Sequence, residues 1–460
     1  MRWRRPPDLE VPLGLTESSS AAAAERVLTR AVGNPLVRGG LTLVAGVLTG
    51  NVLGFARVAL TAYLLGTHSR ADSLAVAIGP TDTLNSVLIN TIVFAFVPML
   101  TACPAEERAA LFRKLSRCFA WALAGISAAV IVSAPWLMRI LAPGLAPDYF
   151  AAAVTNLRIL SISTTAAGVA AVHYALLYTE RRFGPTAFYQ ATLNVFTIGG
   201  ALALWKALGV YGFTIGYSAG AWVQVAVVRL AARSSLKAGG SARTEVHWRE
   251  ILTKPAFFLV YAAGLALNVT FTRAWATHTG PGMAAALDYC MRGVSVPLAL
   301  LVNPISNSLL PEIARLKSLF RIREALRLID RTVGVAALAA VGGCGFALLF
   351  RYPAIALFFQ HGSFTAESTR LVAAVFLGLG PAMIGWILIE IVSRSLFALD
   401  RPWLPVAASM IPVAINVALT LKFQFSRPEF LGLGATCGLL AGFVFLFVVA
   451  HLGRRRWMRE

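Results

Sequence analysis

Residues 41–65 read LTLVAGVLTGNVLGFARVALTAYLL, an apolar run long enough to cross a bilayer with one charge, Arg57, inside it. A charge near the centre of a spanning helix costs roughly 2.5–3.5 kcal/mol on insertion scales, so such a residue normally faces a partner or a wet cavity. Arg292 repeats the situation in the second half of the chain, within residues 281–311. Together the two arginines predict that something anionic is handled inside a bundle of helices.

Working outward from this stretch, the hydropathy pattern predicts an all-α polytopic membrane protein. The apolar segments fall at about 39–66, 72–101, 115–141, 149–178, 184–206, 210–232, 251–275, 281–310, 332–357, 368–398, 403–423 and 431–452. The chain is 57% hydrophobic and only 13% charged, which places it outside the globular class. These spans divide into a six-helix lobe over 39–232 and a second over 251–452. Between and around them lie a basic connector, 233–250, an N-terminal tail, 1–38, and a short basic tail, 453–460.

A formal net charge of +20 raises nucleic acid as a partner, and its distribution argues against one. Lys and Arg collect in 1–38, 102–114, 179–183, 233–250, 311–331, 399–402 and 453–460. The opposite loops, around Ala142–Asp148, Thr277–Gly282 and Gln360–Phe364, hold almost none. That is the positive-inside pattern, with both termini expected in the cytoplasm. The basicity sets topology, with a secondary affinity for anionic lipid headgroups. No basic-aromatic soluble module exists to bind nucleic acid.

Other segments narrow the function. Residues 1–38 lack a long apolar core followed by a cleavage site, so a cytoplasmic tail is expected rather than a secretory signal. Cys103, Cys118, Cys290, Cys344 and Cys437 have neither metal-ligand nor paired spacing and read as small buried hydrophobes. No phosphate-binding loop, H-E-x-x-H motif or nucleophile elbow is present, so no catalytic residue, cofactor or metal is expected. A secondary transporter or a potential-driven flippase is what remains.

The two halves echo each other. Asn194-Val195 precedes Leu208-Gly209-x-x-Gly212, and Asn416-Val417 precedes Leu431-Gly432-x-Gly434 at nearly the same distance. Phe96-Val97-Pro98 closes the second span as Leu309-Leu310-Pro311 closes the eighth. Six spans per repeat is an even number, so the halves enter from the same side as parallel repeats. Two bundles around a central cleft can then rock to open to each side in turn.

The intramembrane charges carry the candidate site. Asp288/Arg292 and Glu390/Arg394 are i,i+4 neighbours in the favourable acid-then-base order, so both are candidate structural pairs. For Arg292, pairing and a cavity-facing role are equally compatible. Arg57 has no such neighbour, and Asp82 is its cross-helix candidate. Arg273 lies near a helix end, where snorkelling is the simpler reading. Asp72 suits the N-terminal dipole of its own helix. His173 is expected to be a hydrogen-bonded interior residue. Guanidinium groups match phosphate oxygens bidentately and cannot lose their charge, so a pyrophosphate headgroup with its lipid tail in the bilayer fits such a cavity.

With these residues in view, the chain resembles the MurJ/MviN family of lipid II flippases, within the superfamily that also holds drug exporters. Val52-Leu53-Gly54-Phe55-Ala56-Arg57 is similar to the family's first-helix signature. Ala71-Asp72 and Ala95-Phe96-Val97-Pro98 fit its second helix, and Arg182-Phe183 and Asn194 its helix 4–5 region. Tyr289-x-x-Arg292, Pro297 and Leu309-Leu310-Pro311 fit helix 8. Leu357-Phe358-x-x-x-Gly362-x-Phe364 resembles a periplasmic turn, and Arg394-x-x-Phe397-Ala398 the end of helix 10.

The resemblance implies a flippase carrying lipid II or a related undecaprenyl-pyrophosphate-linked saccharide across a bacterial inner membrane, for cell-wall biosynthesis. Arg57, Arg292, Asp72, Asp82, Asn85 and Arg273 become the candidate headgroup-binding or gating residues. Membrane lipids and envelope-synthesis proteins are the implied partners. Five positions depart from the pattern. A second first-helix arginine of the family is Asn51 here, paired arginines of helix 2 fall on Leu84 and Asn85, and a Glu-Gly pair falls on Ile89 and Asn90. The family's two further C-terminal helices, associated with a lipid-tail groove, are expected to be absent. A cation-coupled exporter of amphipathic drugs and a non-transporting scaffold of an envelope-synthesis complex stay open as alternatives.

Overall fold

The computed structural model describes residues 35–236 and 248–457, and among them there is no β-strand. Residues 1–34 of the expected N-terminal tail, most of the connector and the end of the C-terminal tail lie outside the described residues, and 35–38 belong to the first helix rather than to a tail. The first bundle comprises α1 (Pro35–Leu65), α2 (Ser69–Ala102), α3 (Ala105–Leu141), α4 (Pro147–Thr179), α5 (Tyr189–Leu208) and α6 (Tyr211–Leu236). In the second come α7 (Trp248–Thr279), α8 (Met283–Ser318), α9 (Ile322–Leu349), α10 (Arg351–Phe359), α11 (Ala366–Leu379), α12 (Ala382–Ala398), α13 (Trp403–Phe423) and α14 (Leu433–Trp457).

Among the described residues, ten helices are long and apolar enough to span a membrane, and the bent pair α11/α12 makes an eleventh. The remaining pass is α8, whose 36 residues exceed the roughly 20 that hydrocarbon requires. Its run is diluted by Asp288, Arg292, Asn303 and Asn307, the polarity expected of a helix that lines a cavity.

Several predicted boundaries are corrected, each for a local reason. The segment 368–398 is not one straight span. It bends by 45° at Gly380-Pro381, where proline cannot donate to the helical ladder. The segment 332–357 is also broken. A continuous helix would place the Pro353 ring against the Leu349 carbonyl, and α9 stops at that residue. The predicted start at 184 is a single turn, Gly184–Ala187, opened by Pro185 and separated from α5 by Phe188. The basic loops 102–114 and 311–331 shrink to a few residues, because α3, α8 and α9 run on past the apolar window. Their charged ends continue the helix beyond hydrocarbon depth.

The duplication is visible in the packing. α1 rests on α5 as α7 rests on α13, and α3 on α4 as α9 on α12. Likewise α4 meets α6 as α12 meets α14, and α5 meets α6 as α13 meets α14. The paired asparagines occupy matching seams. Asn194 Nδ2 donates to the Gly50 carbonyl on α1 (3.0 Å), and Asn416 Nδ2 donates to Asn268 Oδ1 and Thr272 Oγ1 on α7 (2.8 Å each). Each clips the fifth pass of its bundle to the first, where a buried amide must find internal partners.

At the centre of the first bundle is α4, with 83% of its most apolar window buried. His173 lies within it, hydrogen-bonded through Nδ1 to the Val169 carbonyl (2.7 Å) and edge-on to Phe112. Of the cysteines, Cys103, Cys290 and Cys344 are buried as expected, whereas Cys118 is exposed on α3.

Candidate functional site

Between the bundles is a cavity of about 620 Å³, walled chiefly by α1, α2, α7, α8 and α12. Four arginines line it, Arg57, Arg273, Arg292 and Arg394, against three carboxylates, Asp82, Asp288 and Glu390. In each bundle the first helix supplies an arginine and the second an aspartate. Arg57 on α1 reaches Asp82 on α2 at 3.4 Å, and Arg273 on α7 grips Asp288 on α8 through Nε (2.9 Å) and Nη2 (2.5 Å).

Two predicted roles change here. Arg273 does not snorkel: its side chain is only 6% exposed, because Asp288 holds it inside. Asp288 therefore pairs with Arg273 and not with its i+4 neighbour Arg292, since two N–H groups of Arg273 converge on its Oδ1 from the preceding helix. Glu390 and Arg394 do pair, at 2.9 Å, and they also form part of the cavity wall.

Freed from Asp288, Arg292 crosses to the first bundle. Its Nη2 donates to the Asn51 carbonyl of α1 at 2.9 Å. Gly54 makes this possible, because a Cβ there would lie 2.0 Å from that nitrogen. Gly79 on α2 forms the matching notch for Arg273, whose guanidinium carbon sits 2.5 Å from the position a Cβ would take. Thus both second-bundle arginines lodge against bare backbone of the first bundle.

Three guanidinium nitrogens of the cavity arginines remain buried without a partner: Arg57 Nη1, Arg273 Nη1 and Arg292 Nε. Each unmet charged donor costs on the order of 1–3 kcal/mol. A ligand rich in acceptor oxygens would recover that cost at all three. Four arginines against three carboxylates leave the cavity wall with a surplus of one positive charge.

Asn85 is not part of this cavity. It is buried within the first bundle, donating to Ser163 Oγ (3.0 Å) beside a small separate void. Asn51 and Asn90 do line the main cavity, two polar positions that were visible only as departures from a pattern. Tyr217 was not anticipated; its hydroxyl donates to Asp82 Oδ1 at 2.8 Å from α6, and a tyrosine in an apolar helix gives no sequence signal.

Asp72 sits in the first turn of α2, as expected for the dipole of its own helix, and it does not line the cavity. Its carboxylate accepts from the Gly282 and Ala285 N–H groups at the start of α8 (2.5 and 2.8 Å), capping a helix of the other bundle. Around it the bundles are fastened at the face opposite the start of α1 and the end of α14. The Ser363 N–H donates to the Tyr63 carbonyl (2.8 Å), the Tyr289 hydroxyl to the Gly66 carbonyl (2.8 Å), and Thr67 and Ser368 hydroxyls meet at 2.7 Å. Gly282 and Gly66 permit the approach. Both have positive φ, and a Cβ would meet Thr67 O at 2.1 Å and Ser363 O at 2.4 Å. Cleft and seal together describe a chamber closed at one face.

The family profile described as lipid II flippase MurJ matches residues 61–457. The chain belongs to the MurJ family. It is 27% identical over 453 residues to the lipid II flippase MurJ of Burkholderia cenocepacia, covering 92% of this chain and 84% of that one. It is 26% identical over 451 residues to a probable lipid II flippase MurJ of Rhizobium meliloti, with 92% and 82% coverage. Among solved structures, a lipid II flippase MurJ in an inward closed conformation superposes with a TM-score of 0.76, at 19% identity, over 89% of this chain and 87% of that one. An inward-facing MATE-family multidrug resistance transporter superposes with a TM-score of 0.73 at 11% identity, covering 88% and 96%.

These structures show that the MurJ fold is shared with MATE transporters. The MurJ family match contains Asp72, Asp82, Arg273, Asp288 and Arg292 and begins four residues after Arg57. In this MurJ-family chain the first-helix arginine is therefore tied to the others by the structure, through Asp82.

Proposed function

We propose that this chain is a flippase that carries a polyprenyl-pyrophosphate-linked saccharide, lipid II or a close relative, between leaflets for cell-wall biosynthesis. The observation that carries the reading is the convergence of buried, incompletely bonded arginines on a chamber between two bundles. A pyrophosphate offers the acceptor oxygens they lack, and its lipid tail stays in the membrane while the headgroup crosses. The drug-exporter alternative is not favoured. On the chamber side each carboxylate is engaged by an arginine, so the chamber itself offers a cationic drug no free carboxylate. In proteoliposomes the protein is expected to move a fluorescent lipid-linked saccharide pyrophosphate to the opposite leaflet. It should leave a neutral glycolipid of the same tail where it is, and equal transfer of the two would reject the reading.

The membrane in question is the bacterial cytoplasmic membrane, with both termini inside. Supporting this, Arg113, Lys114, Arg181, Arg182 and Lys317 all lie at the face where α1 begins and α14 ends. With the exposed Cys118 replaced by serine, Ala146→Cys in the α3–α4 turn should react with a membrane-impermeant maleimide on intact cells. Ser318→Cys, at the end of α8, should react only after lysis. The reverse pattern would invert the topology.

A further inference from the structure

Behind the Arg57–Asp82 pair, away from the main cavity, lies a small void of about 20 Å³ inside the first bundle. That is room for one water-sized occupant. Its wall is mixed: Asp82, Asn85, Ser86, Tyr189 and Tyr217 bring oxygen atoms to it, and Ile89, Ala167, Ala170, Leu193 and Ala221 complete it. Asp82 alone among the carboxylates borders both spaces, the chamber on one side and this void on the other.

The orientation of Asn85 gives the void its character. Ser163 Oγ donates its proton to the Leu160 carbonyl (2.6 Å), so toward Asn85 it can only accept. The Asn85 amide must therefore present Nδ2 to Ser163, which turns Oδ1 the other way. That oxygen is buried, on a side chain 4% exposed, and has no hydrogen-bond donor. A carboxylate and an unpaired carbonyl oxygen, three residues apart on one face of α2 and bordered by hydroxyls, are hard-cation ligands in a site of single negative charge.

We infer that this void is a binding site for one small monovalent cation, held by Asp82 and Asn85 Oδ1 with hydroxyl support, and that its occupancy frees Arg57 for the cargo. The second part rests on the function proposed above. Asp82 meets Arg57 by a single long contact (3.4 Å) and leaves Arg57 Nη1 unmet. A pyrophosphate approaching Arg57 would be repelled by the Asp82 carboxylate beside it. A cation on the far side of Asp82 cancels that charge and takes over its oxygens. Cation and anionic headgroup then favour each other's binding, and by linkage the effect is reciprocal.

The test is a thermal-unfolding titration of the purified full chain in detergent, with Na+ replacing N-methylglucamine at constant chloride. Na+ should raise Tm saturably, and Asn85→Leu, which leaves Arg57 and Asp82 in place, should weaken the apparent Na+ affinity at least tenfold. Ser86→Ala should weaken it less, and Asp82→Asn should abolish the response. An identical Tm in both cations, as for a buried water, would overturn the site, and so would an undiminished response in a folded Asn85→Leu protein. Farnesyl pyrophosphate then separates the two parts. It should bind at least tenfold more tightly in Na+, and equal binding would overturn the coupling. A chain that keeps the Na+ response yet binds no pyrophosphate lipid would overturn the cargo reading while the cation site stands.

Discussion

Arg292→Ala should reduce transfer of a lipid-linked pyrophosphate by roughly a hundredfold, while the protein still folds and inserts. The side chain has one hydrogen bond to lose, to the Asn51 carbonyl, and a buried Nε with no bond to lose. Its removal therefore costs the fold little. The expected cost falls on the cargo, where two charge-assisted bonds of about 1.5–3 kcal/mol each would disappear. Arg292→Lys keeps the charge without the fork and should recover only part of the loss. Gly54→Ala supplies the control. Alanine suits a helix better than glycine does, so α1 itself should not weaken. The new Cβ nevertheless displaces the flexible end of Arg292 from its notch. Transfer should fall by about tenfold in the otherwise wild-type chain and not at all further in Arg292→Ala, as expected of residues acting through one contact. Additive losses in flipping assays of the four-protein cycle would show that Gly54 acts by another route.

Asp72→Ala should open the seal at the face opposite the start of α1 and the end of α14. The substitution strands the N–H groups of Gly282 and Ala285 and removes a negative charge from the start of α8. Together these are worth about 3 kcal/mol, or roughly a hundredfold in the balance between sealed and open chambers. Asp72→Asn, which still offers an acceptor oxygen, should shift it less. Thr67→Cys and Ser368→Cys report the state directly, since their hydroxyls stand 2.7 Å apart across the seal. Oxidative cross-linking between them should be fast in the parent and slow with Asp72→Ala. Unchanged cross-linking would reduce Asp72 to one anchor among several.

How much of this was legible in the residues depends on the range of the interaction concerned. Arg57 announced itself because an unpaired charge in an apolar window is costly wherever the other helices lie. Asp82 was reachable as its partner because few acids exist at membrane depth. The i,i+4 rule succeeded for Glu390 and Arg394, where no competing cation approaches. It failed for Asp288, where Arg273 approaches from the preceding helix with better geometry than Arg292 offers. Asp72 was legible as a first-turn acid of its own helix, but the second helix end that it caps begins 210 positions later in the chain. Asn85 looked like a cavity residue by position, yet its face of α2 turns into the first bundle.

The sequence by itself determined the membrane class, the repeat of six passes and the basic-face asymmetry. Each is a property of composition or period, set by the cost of placing polar groups in hydrocarbon. Tertiary structure alone decided which arginine meets which acid and which face of α2 sees the chamber. Gly54, read as one letter of a motif, became the socket for Arg292 only when α1 and α8 came together. Ion pairs and notches of this kind are contacts between surfaces, and the facing surface is fixed only when the two bundles pack.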